Sequence, residues 1–328
     1  MNSKPTVLIL QTAFIGDVIL ATGLIESIVK KFPEARIDFL VRKGNEGLLK
    51  GNPGLREVLI LDKQRKYSSL FELIGQLRKM KYDYAINVQR FATSGLITAL
   101  SGASIKIGFD KNPFAFLFDV KVGHDIGASH EVERNLKLLA PLGISELARP
   151  KLYPSVEQLE MVKRYKSEAY ITVSPASVWF TKQWPREHWV DFLLHVGDRK
   201  VYLLGGSDDS SMCEEILNRL SGRHAENLAG KLSLVQSAAL MKDAQMNFVN
   251  DSAPLHLASA MNAPVTSVFC STVPSFGFGP LSDKSMVIET QEKLECRPCG
   301  LHGYAQCPKG HFRCATTIQR EQLLAALA

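Results

Sequence analysis

The sequence predicts an α/β protein made of two successive parallel-sheet sandwiches. Three observations predict it. Short β-branched apolar runs alternate with amphipathic stretches of helical period. The alternation stops in a proline-bearing segment near mid-chain and then restarts. A length of 328 residues matches about two domains at ~100–200 residues each. Hydrophobic residues make up 45% and charged residues 22% of the chain, which excludes disorder, collagen and coiled coil.

The elements follow in order. VLIL at 7–10 reads as a buried strand. Val18, Ile19, Ala21, Leu24, Ile25, Ile28 and Val29 then keep helical spacing up to Phe32. IDFLV (37–41) and VLIL (58–61) are strands, separated by a Gly/Asn break at 51–54. A helix is expected at about 68–80, a strand at YAINV (84–88) and a helix at 130–142. Repeated β-α-β implies a parallel sheet with helices on both faces. Residues 141–155, PLGISELARPKLYPS, carry three prolines and read as a linker and hinge. Beyond it come strand YITVS (170–174), helix 187–197, strand VYLLGG (201–206) and helix 208–221. Strand NFVN (247–250), helix 254–261 and strand VTSVF (265–269) complete the second half. A last helix is expected at about 316–328, with Ile318, Leu323, Leu324 and Leu327 on one face. The expected division is therefore 1–155, 156–315 and this final helix.

Charge is uneven. Residues 1–155 hold 22 basic and 15 acidic side chains, an excess of +7, while 156–328 hold 17 and 18, a balance of −1. Such an excess suits an acidic substrate, an anionic membrane face or nucleic acid. Nucleic acid is disfavoured, because no basic helix with interleaved aromatics occurs. No stretch approaches ~18 consecutive apolar residues. Residues 1–10 lack a signal peptide's apolar core and cleavage site, so a cytosolic location is expected.

Ligands of open parallel sheets bind beyond the carboxyl ends of the strands, so chemistry is sought there. After the first strand comes Gln11-Thr12-Ala13-Phe14-Ile15-Gly16-Asp17. It is not G-x-G-x-x-G, and no P-loop motif occurs anywhere, which weakens dinucleotide and P-loop readings. Asp17 is either a helix cap or a general base. In the second half, Ser174-Pro175-Ala176-Ser177-Val178-Trp179-Phe180-Thr181-Lys182-Gln183-Trp184-Pro185 follows a strand, as does Asn250-Asp251-Ser252-Ala253-Pro254-Leu255-His256. A lysine beside a helix N-terminus suits phosphate, through free backbone N–H groups and the helix dipole. The bland alternative is capping plus a core histidine.

These segments resemble the ADP-heptose:lipopolysaccharide heptosyltransferase family of glycosyltransferases. The carrying features are Gly16-Asp17, Ser177…Thr181-Lys182-Gln183-Trp184-Pro185, Gly205-Gly206 with Asp208-Asp209, and Asp251 to His256, in the family's order. The resemblance implies a GT-B fold of two Rossmann-like domains facing a cleft. The first domain would bind the acceptor and the second the nucleotide sugar, with the last helix packing back on the first. It implies inverting, metal-independent transfer of heptose from ADP-heptose to an inner-core hydroxyl of lipopolysaccharide. Asp17 would be the base. Lys182, Ser177 and the helix end at Ser252–Ala253 would neutralise the departing ADP, and Thr181 would help bind the donor. Asp251 and His256 would line the donor site, and Asp208 or Asp209 would meet the ribose. No cofactor is implied for catalysis. The partners would be the donor, a phosphorylated lipid A-core acceptor and the cytoplasmic face of an anionic inner membrane, held peripherally. The alternatives are a GT-B transferase using another nucleotide sugar and a non-catalytic sugar-nucleotide-binding protein. Retention of Asp17, Lys182 and Asp251 together argues against the latter.

Four cysteines cluster as Cys296-x2-Cys299-x7-Cys307-x6-Cys314, with His302 and His311 among them. In a cytosolic chain this spacing could hold a structural zinc. Reduced thiols or disulfides are the alternatives.

Overall fold

A computed structural model describes residues 4–62, 68–127 and 129–327. Met1–Ser3, at the start of the segment read for a signal peptide, and Ala328, at the end of the expected last helix, lie outside them. The chain divides into two units, Met1–Tyr153 and Pro154–Ala328.

The first unit runs β1 (Thr6–Leu10), α1 (Ile15–Lys31), β2 (Arg36–Arg42), β3 (Leu55–Leu61), α2 (Ser68–Met80), β4 (Tyr84–Asn87), α3 (Ala92–Leu100), β5 (Ile105–Phe109), β6 (Val120–Val122) and α4 (Glu131–Leu136). A 3₁₀ turn extends α4 to Leu142. Its sheet is parallel, in the order β3-β2-β1-β4-β5-β6. Val7, Leu8, Ile9 and Leu10 are all buried, as expected of a central strand covered on both faces. On one face Leu8, Leu10, Leu40 and Leu59 pack with Leu73, Leu77 and Ile97 from α2 and α3.

The second unit runs α5 (Val156–Lys163), β7 (Tyr170–Ser174), α6 (Arg186–Leu193), β8 (Lys200–Leu203), α7 (Ser210–Asn218), β9 (Ala225–Asn227), α8 (Leu234–Lys242), β10 (Met246–Asn250), α9 (Ala253–Ala260), β11 (Val265–Phe269), β12 (Ser285–Glu289), α10 (Arg313–Thr316) and α11 (Arg320–Leu324). Its sheet order is β12-β11-β10-β7-β8-β9. Read from the other edge, this is the order of the first unit repeated. Each sheet therefore reverses direction beside its first strand, between β1 and β4 and between β7 and β10. Those two switch points are where the carboxyl-edge loops part and leave a crevice for ligand.

Two expectations change. The segment 141–155 is not a free hinge along its length, because much of it is strapped to α1. The Ala148 N–H donates to Ser27 Oγ at 3.0 Å, the Lys151 N–H to Thr22 Oγ1 at 2.9 Å and the Tyr153 hydroxyl to Glu26 at 2.9 Å. Glycine permits this closeness: a Cβ on Gly23 of α1 would lie 2.9 Å from the Ala148 carbonyl oxygen. The C-terminal segment also packs differently from expectation. Ala315, Ile318 and Leu323 join the core of the second unit with Trp184, Trp189 and Phe192. Arg320 pairs with Asp191 of α6 at 2.6 Å. The apolar face read at 316–328 is thus covered by its own unit, and a turn at 317–319 splits it into α10 and α11.

Candidate active site

At the first switch point, β1 and β4 run parallel with Leu10 opposite Asn87. Their outgoing loops are tied together by a 2.7 Å hydrogen bond from the Thr12 hydroxyl to Gln89 Oε1. Asp17 stands in the first turn of α1 and accepts the Phe14 N–H at 3.2 Å. The cap role is therefore real. The same carboxyl is also perturbed: burial, then the charge of Glu131, push its pKa up to about 6, against smaller opposing effects of the Phe14 and Asp17 N–H groups and Arg90. A carboxyl held near neutrality is a better base than an ordinary aspartate and is still largely ionised above that pH.

The source of that charge is a buried cluster that sequence reading missed. Glu131 opens α4, which packs against α1. Arg134 binds it through Nε at 2.8 Å and Nη2 at 2.7 Å. His124 Nε2 lies 3.7 Å from the same oxygen, and its ring meets Phe109 edge-on. Burial would raise the Glu131 carboxyl, but His124 and Arg134 outweigh it and hold it below the ordinary range. Glu131 therefore stays charged while Asp17 titrates. The E-x-x-R spacing on a predicted helix was the available signal. The activity that depends on Asp17 as a base should rise with pH through about 6. In Glu131→Gln the inflection should move down toward the ordinary carboxylate range, because a negative neighbour is gone. A pH profile of kcat/KM in both proteins checks this.

At the second switch point, β7 and β10 pair with Ser174 opposite Val249. The Asn250 side chain locks the two loops, donating to the Pro175 carbonyl at 2.7 Å and accepting the Trp184 N–H at 3.0 Å. This brings Lys182 Nζ to 2.7 Å from Asp251 Oδ2, and the Thr272 hydroxyl reaches the same oxygen at 2.6 Å. Thr181 Oγ1 is used twice, accepting the Ser271 hydroxyl at 3.0 Å and the Tyr304 N–H at 2.8 Å. Thr181 is therefore a clamp between loops. Ser252 precedes α9 in extended conformation and makes no side-chain capping bond to the helix. Its hydroxyl points back to the Asn250 carbonyl at 3.4 Å. Ala253 is the first helical residue. His256 is buried beside Phe278. Ser177 receives Gln183 Nε2 on its carbonyl, at 2.6 Å. Of the two aspartates after β8, Asp209 caps the Gly206 N–H at 2.8 Å, while Asp208 is exposed.

The profile of glycosyltransferase family 9 (heptosyltransferase) matches residues 70–303, well over half of the chain. The chain belongs to glycosyltransferase family 9. It is an enzyme of the glycosyltransferase class. Lipopolysaccharide heptosyltransferase 3 of Escherichia coli is 28% identical over 283 residues, covering 79% of this chain and 82% of that protein. Lipopolysaccharide heptosyltransferase 2 of Escherichia coli strain K12 is 26% identical, covering 86% and 87%. Among solved structures, the family 9 glycosyltransferase of Veillonella parvula DSM 2008 superposes with a TM-score of 0.86 at 20% identity, over 99% of this chain and 97% of that one. The ADP-heptose lps heptosyltransferase II of E. coli gives 0.80 at 23% identity, over 98% and 97%. The fold of this family 9 glycosyltransferase is GT-B, as the resemblance implied.

The zinc expectation is not supported. Among the described residues no group of three or more His, Cys, Asp or Glu side chains assembles to hold a metal ion. Cys314 is buried in α10, next to the core residue Ala315. The Cys299 thiol donates to the Cys296 carbonyl at 3.3 Å, and Cys296 instead approaches His311, at 3.8 Å. No cysteine is in a disulfide. Among the described residues no helix is long and apolar enough to cross a membrane.

Proposed function

We propose that this glycosyltransferase moves heptose from ADP-heptose to a hydroxyl of the lipopolysaccharide inner core, with inversion and without a catalytic metal. The observation that carries the reading is the pair of switch-point sites: a carboxyl with its pKa near 6 in the first unit, and a lysine beside an uncapped helix start in the second. The acceptor hydroxyl oxygen attacks the anomeric carbon while its proton passes to Asp17. The bond from that carbon to the diphosphate oxygen breaks, and its electron pair leaves on ADP. Lys182 and the Ala253 N–H at the dipole-bearing start of α9 meet the developing charge. Asp251, itself fixed by the Thr272 hydroxyl, holds the lysine in place, so Asp251 serves the donor indirectly. Ser177 offers a hydroxyl to the diphosphate, and exposed Asp208 is available to the ribose. The relatives named for lipopolysaccharide heptosyl transfer support the donor and acceptor classes. The acceptor sits in a membrane, so contact with an anionic leaflet, peripheral and at its cytoplasmic face, belongs to the same reading.

The test is ADP release from a panel of nucleotide sugars with a heptose-free core acceptor, with and without EDTA. ADP-heptose should be preferred and chelation should be without effect. Equal use of another donor, or loss on chelation restored by magnesium, would overturn the donor or the metal-free step respectively.

A further inference from the structure

A lipid-anchored acceptor must be reached by a chain whose described helices cannot cross a bilayer. The surface that makes the approach can be read from the sheet order. In the first unit, β2, β1, β4 and β5 are successive neighbours. Their carboxyl ends deliver, in that order, Arg42 and Lys43, then Phe14, then Arg90 and Phe91, then Lys111 with the loop to Phe116 and Leu117. Basic and aromatic side chains thus alternate along one edge.

The aromatic groups are presented outward. Phe14 is 58% exposed, Phe91 66% and Phe116 70%. Exposure of this degree at three phenylalanines on adjoining loops is unusual for a surface that meets only water. The loops are built to hold them there. The Asn112 side chain donates to the Gln89 carbonyl at 3.0 Å and the Phe91 carbonyl at 3.1 Å. Phe114 stacks on Phe116 at 6.2 Å and lies over Gly95, where an added Cβ would come within 3.0 Å of it. Asn45 Nδ2 donates to the Ala13 carbonyl at 3.2 Å, and the Arg42 guanidinium lies 5.5 Å from the Phe14 ring.

The charges on this edge are also disposed toward a partner. Arg42, Arg90 and Lys111 form no ion pair among the described residues, while Lys43 is paired to Asp62 at 3.0 Å. The carboxylates nearby are turned to the chain's own backbone: Glu46 accepts the Gly44 N–H, Asp110 the His124 N–H and Asp17 the Phe14 N–H.

We propose that this carboxyl edge of the first unit docks on an anionic lipid surface, with Phe91, Phe116, Leu117 and Phe14 entering the headgroup layer between Arg42, Arg90 and Lys111. Apolar side chains flanked by arginine and lysine are the pattern of interfacial binding. The cations add an electrostatic attraction that fades beyond a Debye length of about 8 Å. The inference deepens the proposed function, because it places the membrane beside Asp17, at the edge where the acceptor hydroxyl is needed.

The experiment is sedimentation of the full chain with vesicles of phosphatidylethanolamine and phosphatidylglycerol, compared with vesicles of phosphatidylcholine alone. Wild type should bind the anionic vesicles, and binding should fall steeply with salt. Phe91→Ser combined with Phe116→Ser should lower binding roughly tenfold with an unchanged melting temperature. Lys111→Gln should lower it several-fold at low salt only. In parallel, turnover is measured on a deacylated, water-soluble acceptor, where the phenylalanine variant should stay within about twofold of wild type. Wild-type vesicle binding by these variants would overturn the inference. So would an equal loss of turnover on the deacylated acceptor, since the rings would then be sugar contacts. Vesicle binding contains no sugar transfer, so failure of the heptosyl reading would appear separately, as patch-dependent binding without heptose transfer.

Discussion

Replacing Asp17 by asparagine will cut turnover by ~10²–10⁴ and, above pH 6, will make the protein more stable rather than less. The two effects come from the same carboxyl. As a base, Asp17 is lost completely in the amide. As a half-buried group with its pKa pushed up to about 6 from 3.8, it binds its proton more tightly in the folded chain than in the unfolded one. Its contribution to stability is then fully present below about pH 3.8 and is lost as pH rises through about 6. Above that pH the ionised carboxyl costs up to about 3 kcal/mol relative to a neutral group. Asparagine keeps an oxygen for the Phe14 N–H and carries no charge, so it retains the cap and removes the cost. Melting curves of both proteins from pH 4 to 8 should nearly coincide at the acid end and separate through pH 6, with the variant higher. A purely capping aspartate gives the opposite pattern: lower stability at neutral pH and unchanged turnover.

How far the sequence announced this depends on the range of the interactions. The central strands and α1 were legible because their apolar periods are long and unbroken; YITVS and VTSVF coincide with β7 and β11. β6 and β9 were not legible, because three-residue edge strands, VKV and AEN, carry no period. α8 was missed for the opposite reason. Val235 to Met241 is buried on every side, so no polar face marks it as a helix. The loops that hold the site were found from position and motif. The contacts that tune it were not, since Glu131 acts on Asp17 across more than a hundred residues, and Ser271 and Tyr304 reach the lysine loop from segments with no motif. The division between the units does fall inside the 141–155 linker, but its docking on α1 was not legible, because it rests on hydrogen bonds to Ser27 and Thr22 that no periodicity shows.

Removing the Lys182 side chain is the second large effect expected, and Asp251 makes its form specific. In Lys182→Ala the donor loses a charge-assisted contact worth about 1.5–3 kcal/mol, or roughly 10- to 100-fold in affinity. The loss should reach or pass the upper end of that range, because the variant also exposes an unpaired carboxylate to the incoming diphosphate. Asp251 is buried and keeps only the Thr272 hydroxyl among these two partners. Breaking one side of a buried pair costs about 3–5 kcal/mol, so the melting temperature of Lys182→Ala should fall as well. Adding Asp251→Asn removes the orphaned charge. The double variant should recover most of the stability and part of the ADP affinity, but not turnover, since nothing then neutralises the leaving diphosphate. Calorimetric ADP titration and melting curves on the two variants measure this. If Lys182→Ala binds ADP as wild type does, the lysine is a structural partner of Asp251 alone. The leaving group would then have to rely on the start of α9, and Ser252 and Ala253 would become the residues to replace next.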